Sequence, residues 1–426
     1  MGSVLPTSKV LSFHEAAKLV AARASRLAQC KPSVERVELA RASGRVLAEV
    51  LSADSDQPPF ARSTRDGFAC RADEAASRRL RPVAGSTRAG EAPARTLPRG
   101  AVWEIMTGAP IPRGADAVIM LEHVEASGTP SARTIRLLPQ RAIRNGENIV
   151  ARGAQARKGD ALLPVGTTIG AAQIALAASC GCVELKVFVR PRVAILATGD
   201  ELVPIKSKPG PGQIRNSSNA MLAAMVAAAG GEPWLLPIAR DTAKSLDAAL
   251  ARAATADLLI ITGGVSAGKF DLVEPALARA GARFHFTGVR IQPGKPVVFA
   301  ELGRRAHTVQ SRSGTTCCFG LPGNPVSSAV TFLLFGVPVL AAIGGRRELG
   351  PRFALARLVE DVKAKPGLTR FLPAACTFSD LVPQVELVPW EGSGDLAAMA
   401  RANCFLVVPE ESDHLHAGDI ARILLV

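Results

Sequence analysis

The stretch Phe319-Gly320-Leu321-Pro322-Gly323-Asn324-Pro325-Val326-Ser327 decides how this chain folds. An apolar strand end enters a turn stiffened by two prolines. Gly323 permits close backbone approach, and Asn324 tolerates a left-handed or capping conformation. Asn324 or Ser327 would cap a helix whose first turn accepts Pro325, because proline's missing N–H is an orphan there in any case. The apolar run to Ala342 then reads as that helix. Strand, rigid turn and helix N-terminus together make an anion site of backbone N–H groups, although a plain strand-to-helix connection would use the same residues.

Working outward, Ile261-Thr262-Gly263-Gly264-Val265-Ser266-Ala267-Gly268 repeats the plan: a strand, a glycine turn, then a helix from about Asp271. Thr198-Gly199-Asp200-Glu201-Leu202 follows a third apolar strand. From Arg190 onward strands and helices alternate: strands 193–198, 234–239, 257–262, 284–288 and 296–300, helices 217–229, 242–254, 271–280 and 325–342. That alternation predicts a doubly wound, mostly parallel sheet whose strand carboxyl ends share one ligand-binding edge. The glycine turns and carboxylates should therefore meet in one crevice. No turn has the P-loop or GxGxxG pattern, so a nucleoside triphosphatase or a dinucleotide dehydrogenase is unsupported.

The flanks differ in texture. Residues 11–50 carry helical periodicity, read as two helices around a break at Pro32. Pro, Gly and short β-rich runs dominate from Ala53 to about Asn148, with Val102–Met106 and Ala117–Leu121 as strands. Residues 149–188 resume the first region's character, including a helix over Gly170–Ser179. The segment Gly303–Thr316 is polar and reads as a hairpin or loop. The expected organisation is α/β and multidomain: an N-terminal helical or mixed domain (1–52 and 149–188), an inserted β domain (53–148), the α/β domain (189–344) and a small C-terminal β-barrel or sandwich (345–426).

Composition narrows the partners. The net charge of +14 favours anions. Arg outnumbers Lys 39 to 12 without a basic run longer than two, a zinc finger or an RNA-binding aromatic signature, so nucleic acid is not expected. The eight cysteines include no CxxC pair and sit among apolar neighbours, as buried reduced thiols do. Met1–Lys9 lacks an apolar signal core, which with the thiols predicts a cytoplasmic protein. Val326–Gly345 is long enough to cross a membrane, yet it opens at a capping turn and contains Pro338, so a buried helix is expected. His414 and His416 form an HxH pair read as a strand's same-face exposed pair, because no third ligand has matching spacing.

Six motifs in order resemble one family. Arg62-Ser63-Thr64-Arg65-Asp66-Gly67-Phe68-Ala69, Ile105-Met106-Thr107-Gly108-Ala109-Pro110-Ile111-Pro112, Thr198–Leu202, Gly263-Gly264-Val265-Ser266, Pro293-Gly294-Lys295-Pro296 and Gly320–Ser327 are similar to those of the molybdopterin molybdenumtransferases, which include the C-terminal domain of gephyrin. The resemblance spans roughly residues 10–426. It implies insertion of molybdenum from molybdate into adenylylated molybdopterin, with AMP released and Mg²⁺ assisting. It also implies a homodimer of four-domain subunits with the cleft between the α/β domain of one subunit and the β domain of the other. Contacts with molybdopterin adenylyltransferase and with acceptor molybdoenzymes would follow.

Carried over residue by residue, Asp66, Glu201, Asp241, Asp271 and Lys295 match catalytic positions, with Glu201, Asp241 and Asp271 as metal ligands. Thr107, Gly263, Gly264, Ser266, Pro322, Gly323, Asn324, Pro325, Ser327 and Ser393 match substrate contacts. Cleaving a phosphoanhydride needs mainly positioning and charge neutralisation, which carboxylates with a metal and a lysine supply. Plainer roles exist for each: helix caps for Asp241 and Asp271, a turn for Asp66 and Ser393, a buried strand hydroxyl for Thr107, solvated surface for Glu201 and Lys295. The chain departs from the family pattern at Ala154-Gln155, where an acidic pair is usual, at Gln292 and Leu368, where Lys and Arg occur, and at Cys404, where Gly is frequent. Two other functions remain open: molybdopterin adenylyltransferase, whose single-domain enzymes share the α/β unit, and a non-catalytic cofactor-binding scaffold.

Overall fold

The computed structural model describes residues 10–30, 32–92, 96–129, 132–265, 272–303, 314–378 and 381–426. The chain forms two compact units: Met1–Ala48, Val165–Gly170 and Glu184–Val426 in the larger, Glu49–Pro164 and Ala171–Val183 in the smaller.

The larger unit is built on a six-stranded sheet. Its strands are β1 (Arg192–Ala197), β2 (Glu232–Leu235), β3 (Leu258–Thr262), β4 (Arg283–Phe286), β5 (Val298–Gly303) and β6 (Thr315–Leu321), in the order β2-β1-β3-β6-β5-β4. The first four in that order run parallel, and β5 and β4 complete an antiparallel edge. The mostly parallel, doubly wound expectation holds. Residues 304–313 of the expected hairpin lie outside the described residues, and the strands bounding them pair antiparallel from Gly303 opposite Thr315.

Strand alternation splits the core into two layers. Val193, Ile195, Leu258, Ile260 and Phe319 pack with the helices Phe13–Leu27, Ser217–Ala228 and the long helix from Pro325. Ala194, Leu196, Leu259, Ile261 and Cys318 pack on the opposite face with Ala243–Ala253 and Val273–Arg279. A sheet buried on both faces needs apolar residues at consecutive positions, as Val193–Ala197 and Leu258–Ile261 provide.

Pro325–Ile343 is long and apolar enough to cross a membrane, with mean hydropathy 2.2, but 83% of its apolar 18-residue window is buried inside the protein. It is a core helix. Its middle, Phe332–Gly336, winds as a π-helix just before Pro338. Widening the turn there accommodates a residue that has no N–H for the regular ladder.

One sequence expectation fails near the N-terminus. Phe13–Leu27 is a helix, opened by a capping box in which Ser12 Oγ accepts the Glu15 N–H at 3.2 Å and Glu15 Oε2 accepts the Ser12 N–H at 2.8 Å. The second expected helix does not form. Val34–Glu38 is instead a strand, antiparallel to Glu184–Phe188, followed by a single 3-10 turn at Leu39–Arg41. Pairing with a distant segment outweighed a local periodicity that two valines already weakened.

The C-terminal strands of this unit close a five-stranded barrel, Thr369–Thr377, Gln384–Leu387, Phe353–Leu358, Ile420–Leu425 and Cys404–Val408, with Ile291–Gln292 added at its edge. The barrel arm of the barrel-or-sandwich expectation is the one realised.

The smaller unit contains a curled six-stranded sheet that includes Gly67–Cys70, Val102–Ile105 and Ala117–Met120. Phe68, Cys70, Val102, Ile119 and Ile135 fill one face, and Ala69, Ile105 and Val118 the other. Gly67 is obligatory, since a Cβ there would lie 1.9 Å from the Ile119 carbonyl oxygen. All eight cysteines are free thiols, six of them buried. Burial pushes the Cys70 and Cys404 thiols up to about 12, which leaves them inert.

Candidate substrate site at the carboxyl ends of the sheet

The strand order reverses beside β1, where β2 lies on one side and β3 on the other. Ligands of open α/β sheets bind beyond the strand ends at such a point. Here the backbones crowd together: the Thr198 N–H donates to the Thr262 carbonyl at 2.9 Å, and the Gly263 N–H donates to the Leu321 carbonyl at 3.2 Å. Gly263 has φ +88°, and a Cβ on it would come within 2.4 Å of the Thr198 oxygen. Glycine is required by both facts.

A cavity of about 660 Å³ opens beside these turns, lined by Glu201, Gly263, Gly264, Gln292, Lys295, Pro322, Gly323, Asn324, Ser327, Leu368, Trp390 and Ser393, among others. The volume lies in the range that holds a sizeable small molecule. Glu201 and Lys295 are exposed at its wall, and Ser327 is buried. Sequence reasoning found most of these residues. It missed Trp390, whose only signal is its place before the Gly392-Ser393-Gly394 turn. Gln292, a departure from the family pattern, both lines the cavity and pairs beside Arg370 of the barrel. Leu368 likewise lines the wall.

The opening turn is built differently from the sequence reading. Asn324 occupies the cap position and Pro325 the first helical one, yet Asn324 makes no side-chain cap bond. Its Nδ2 donates to Ser393 Oγ at 2.7 Å. The Val326 N–H donates to the Ser393 carbonyl at 3.1 Å. With no N–H on Pro325 and that of Val326 engaged, the helix start offers fewer free donors than a bare N-terminus. Ser393 itself is held by its own loop. Asp395 accepts the Glu391 N–H at 3.1 Å and the Ala398 N–H at 2.9 Å, capping Leu396–Arg401 from the other side.

The carboxylates divide. Asp241 was read as a possible helix cap, but the cap of Ala243–Ala253 is Thr242, whose side chain accepts the Ser245 N–H. Asp241 instead accepts the Thr198 hydroxyl at 2.6 Å. Thr198 is buried, so it fixes an exposed carboxylate at the end of β1. Asp200 lines a neighbouring cavity of about 550 Å³ with Gln213 and Arg240, and its Oδ1 faces the Asp241 N–H at 3.5 Å. Asp200, not chosen from sequence, thus links the turn that carries Glu201 to the loop that carries Asp241. Asp271 and Ser266 lie outside the described residues. Asp66 and Thr107 belong to the smaller unit and form one pair: Asp66 Oδ1 accepts the Thr107 N–H at 2.6 Å and its hydroxyl at 2.8 Å. Those two bonds hold the Asp66 carboxyl below its ordinary value.

Three family models cover the chain in order: "MoeA N-terminal region (domain I and II)" over residues 11–181, "Probable molybdopterin binding domain" over 194–342 and "MoeA C-terminal region (domain IV)" over 355–426. A molybdopterin molybdenumtransferase of Bacillus subtilis is 33% identical over 93% of this chain and 91% of its own length. One of Nostoc sp. is 32% identical over 92% of this chain and 88% of its own. This chain belongs to the molybdopterin molybdenumtransferase family.

The crystal structure of a molybdopterin biosynthesis MoeA protein from Pyrococcus horikoshii superimposes on it with TM-score 0.78 and 28% identity, covering 98% of this chain and 100% of the other. As a member of the family the protein is a transferase of molybdenum cofactor biosynthesis. The model for molybdopterin binding spans Glu201, Gly263, Gly264, Lys295 and the Pro322–Ser327 turn, the residues that surround the larger cavity.

Proposed function

We propose that this molybdopterin molybdenumtransferase takes molybdenum from molybdate into adenylylated molybdopterin and releases AMP, with the substrate in the cavity at the carboxyl ends of the sheet. The observation that carries the reading is the meeting of Glu201, the Gly263-Gly264 turn, Lys295, the Pro322–Asn324 turn and Ser393 around one cavity. Close-packed glycine backbone and one ammonium suit a phosphate-bearing ligand. A hydrolysed phosphoanhydride gains most from being positioned and from having its charge neutralised. Lys295 would neutralise, Ser327 and Ser393 would donate or accept hydrogen bonds, and Thr198 would keep Asp241 aimed. Asp66 and Thr107 are retained as substrate-side residues.

Mg²⁺ is part of the proposal. Asp200, Glu201 and Asp241 are exposed carboxylates on two adjoining loops, hard oxygen donors of the kind Mg²⁺ takes one or two at a time beside substrate phosphates. Glu201 and Asp241, with Asp271, would hold it, and it would neutralise charge on the transferring phosphate. We further propose a homodimer acting in the cytoplasm, receiving substrate from molybdopterin adenylyltransferase and passing product to molybdoenzymes. Light scattering at micromolar protein should give about twice the 44.4 kDa chain mass.

The test is AMP release from adenylylated molybdopterin with and without molybdate. Release only with molybdate is expected. Consumption of ATP with unmodified molybdopterin would instead mark an adenylyltransferase. Tight cofactor binding without AMP release would mark the non-catalytic scaffold, the reading that Ala154-Gln155 favours by lacking the family's usual acidic pair.

A further inference from the structure

The C-terminal barrel carries a cluster that the proposed reaction does not use. Val362–Lys363 pairs antiparallel with His414–Leu415, and Asp361 leads into the first of these strands. His414 and His416 are two residues apart, and their rings stack with centroids 4.1 Å apart. One ligand atom from each of Asp361, His414 and His416 lies within 4.8 Å of the other two. The sequence reading set the histidine pair aside for want of a third ligand. Tertiary structure supplies it from a strand far upstream.

The donors are held in place. Asp361 Oδ1 accepts the Ala417 N–H at 2.8 Å, which leaves Oδ2 facing His414 Nε2 at 3.2 Å. Nε2 is shielded from solvent and has no hydrogen-bond partner beyond that carboxylate. The His416 N–H donates to Asp419 Oδ2 at 2.8 Å, and the Asp419 N–H returns to the His416 carbonyl at 3.1 Å. The turn that carries the second imidazole is therefore pinned at both ends. An imidazole nitrogen and a carboxylate oxygen held face to face, with a second imidazole beside them, are donors that one cation can share.

We propose that Asp361, His414 and His416 bind a first-row divalent cation, of which zinc is the representative. Two imidazoles and one carboxylate favour zinc, nickel, cobalt or copper over magnesium, which prefers oxygen donors and water. Ligands of a tetrahedral zinc ion, each about 2.0 Å from it, stand roughly 3.3 Å apart. The edge between Asp361 and His414 already has that length. Rotation of the exposed His416 side chain would close the rest, and water would complete the coordination. The bound ion would tie together the two strands of the Val362–His414 ribbon.

The experiment uses the full chain, stripped with chelator and titrated calorimetrically with Zn²⁺ alone at neutral pH. One site is expected, unaffected by excess Mg²⁺, with a rise in melting temperature on loading. Asp361→Asn retains the acceptor for Ala417, and His416→Ala alters an exposed side chain, so both should fold. Each should weaken Zn²⁺ by about tenfold or more. Co²⁺ loading should give a visible absorption band that both variants lose. Zn²⁺ affinity unchanged in Asp361→Asn and His416→Ala, or displacement of Zn²⁺ by Mg²⁺, would overturn the site. Loss of Zn²⁺ binding in Glu201→Gln instead would move it to the α/β cavity and equally overturn it.

Discussion

Asn324 donates its side-chain N–H to Ser393 Oγ at 2.7 Å across 69 residues of sequence. The bond joins the start of the long core helix to a turn of the C-terminal region, and both residues line the larger cavity. Ser393 also accepts the Val326 N–H through its carbonyl, so one serine is tied twice to the same helix start.

Ser393→Ala removes the side-chain bond and keeps the backbone one. A neutral hydrogen bond is worth roughly 1 kcal/mol, and this one is partly solvated, so the melting temperature should fall by only a few degrees at most. The KM for adenylylated molybdopterin should rise by more than that stability loss implies, because Asn324 is released from its orientation. Steady-state kinetics with a thermal melt would check it. An unchanged KM would leave the bond purely structural.

Asp241 and Thr242 are neighbours with different tasks, and substitution should separate them. Thr242→Ala removes the cap of Ala243–Ala253 and should cost about 1 kcal/mol of stability with modest effect on activity. Asp241→Asn should leave the melt nearly unchanged and reduce AMP release by about a hundredfold, as expected when a carboxylate that would hold the charge-neutralising Mg²⁺ is lost. A melting-temperature loss in Asp241→Asn equal to that of Thr242→Ala would reverse the assignment.

Lys295 lines the cavity as an exposed ammonium. Lys295→Ala should weaken binding of adenylylated molybdopterin or molybdate, and the difference from wild type should shrink at high salt, which screens the attraction being lost. Lys295→Arg should restore activity only in part, since a planar fork and a point charge fill different geometry. Calorimetry giving equal affinity for wild type and Lys295→Ala would remove the residue from the site.

Asp66 titrates below its ordinary range because the Thr107 N–H and then its hydroxyl favour the carboxylate. A depressed folded value contributes stability that is present above the unfolded value and lost as pH falls through the folded one. Thr107→Val removes the hydroxyl and keeps the backbone donor. The Asp66 pKa should rise part of the way to its usual value, and any stability it adds should start to fade at a higher pH. Carbon-13 NMR of the side-chain carboxyl would follow it. An unmoved titration would show that the backbone bond alone sets the shift.

Much of this architecture was legible in the chain. Runs such as Val193–Ala197 and Leu258–Ile261 have to be buried on both faces, and glycine at 263 answers a steric demand that no other residue meets. Such signals are local: apolar periodicity, turn chemistry and capping need only near neighbours. Even so, local reading assigned a second helix where Val34–Glu38 pairs as a strand with Glu184–Phe188, because its partner lies outside any local window.

The sequence by itself determined the doubly wound sheet, its glycine turns and the long buried helix from Pro325. Only the tertiary structure decided that Asn324 bonds Ser393 and leaves the cap, that Thr198 aims Asp241, and that Asp361 joins His414 and His416. Each of these joins side chains from separate strands, turns or helices. Their distances are set by how whole elements pack, and the energies of such contacts are too small, about 1 kcal/mol each, to leave a pattern along the chain.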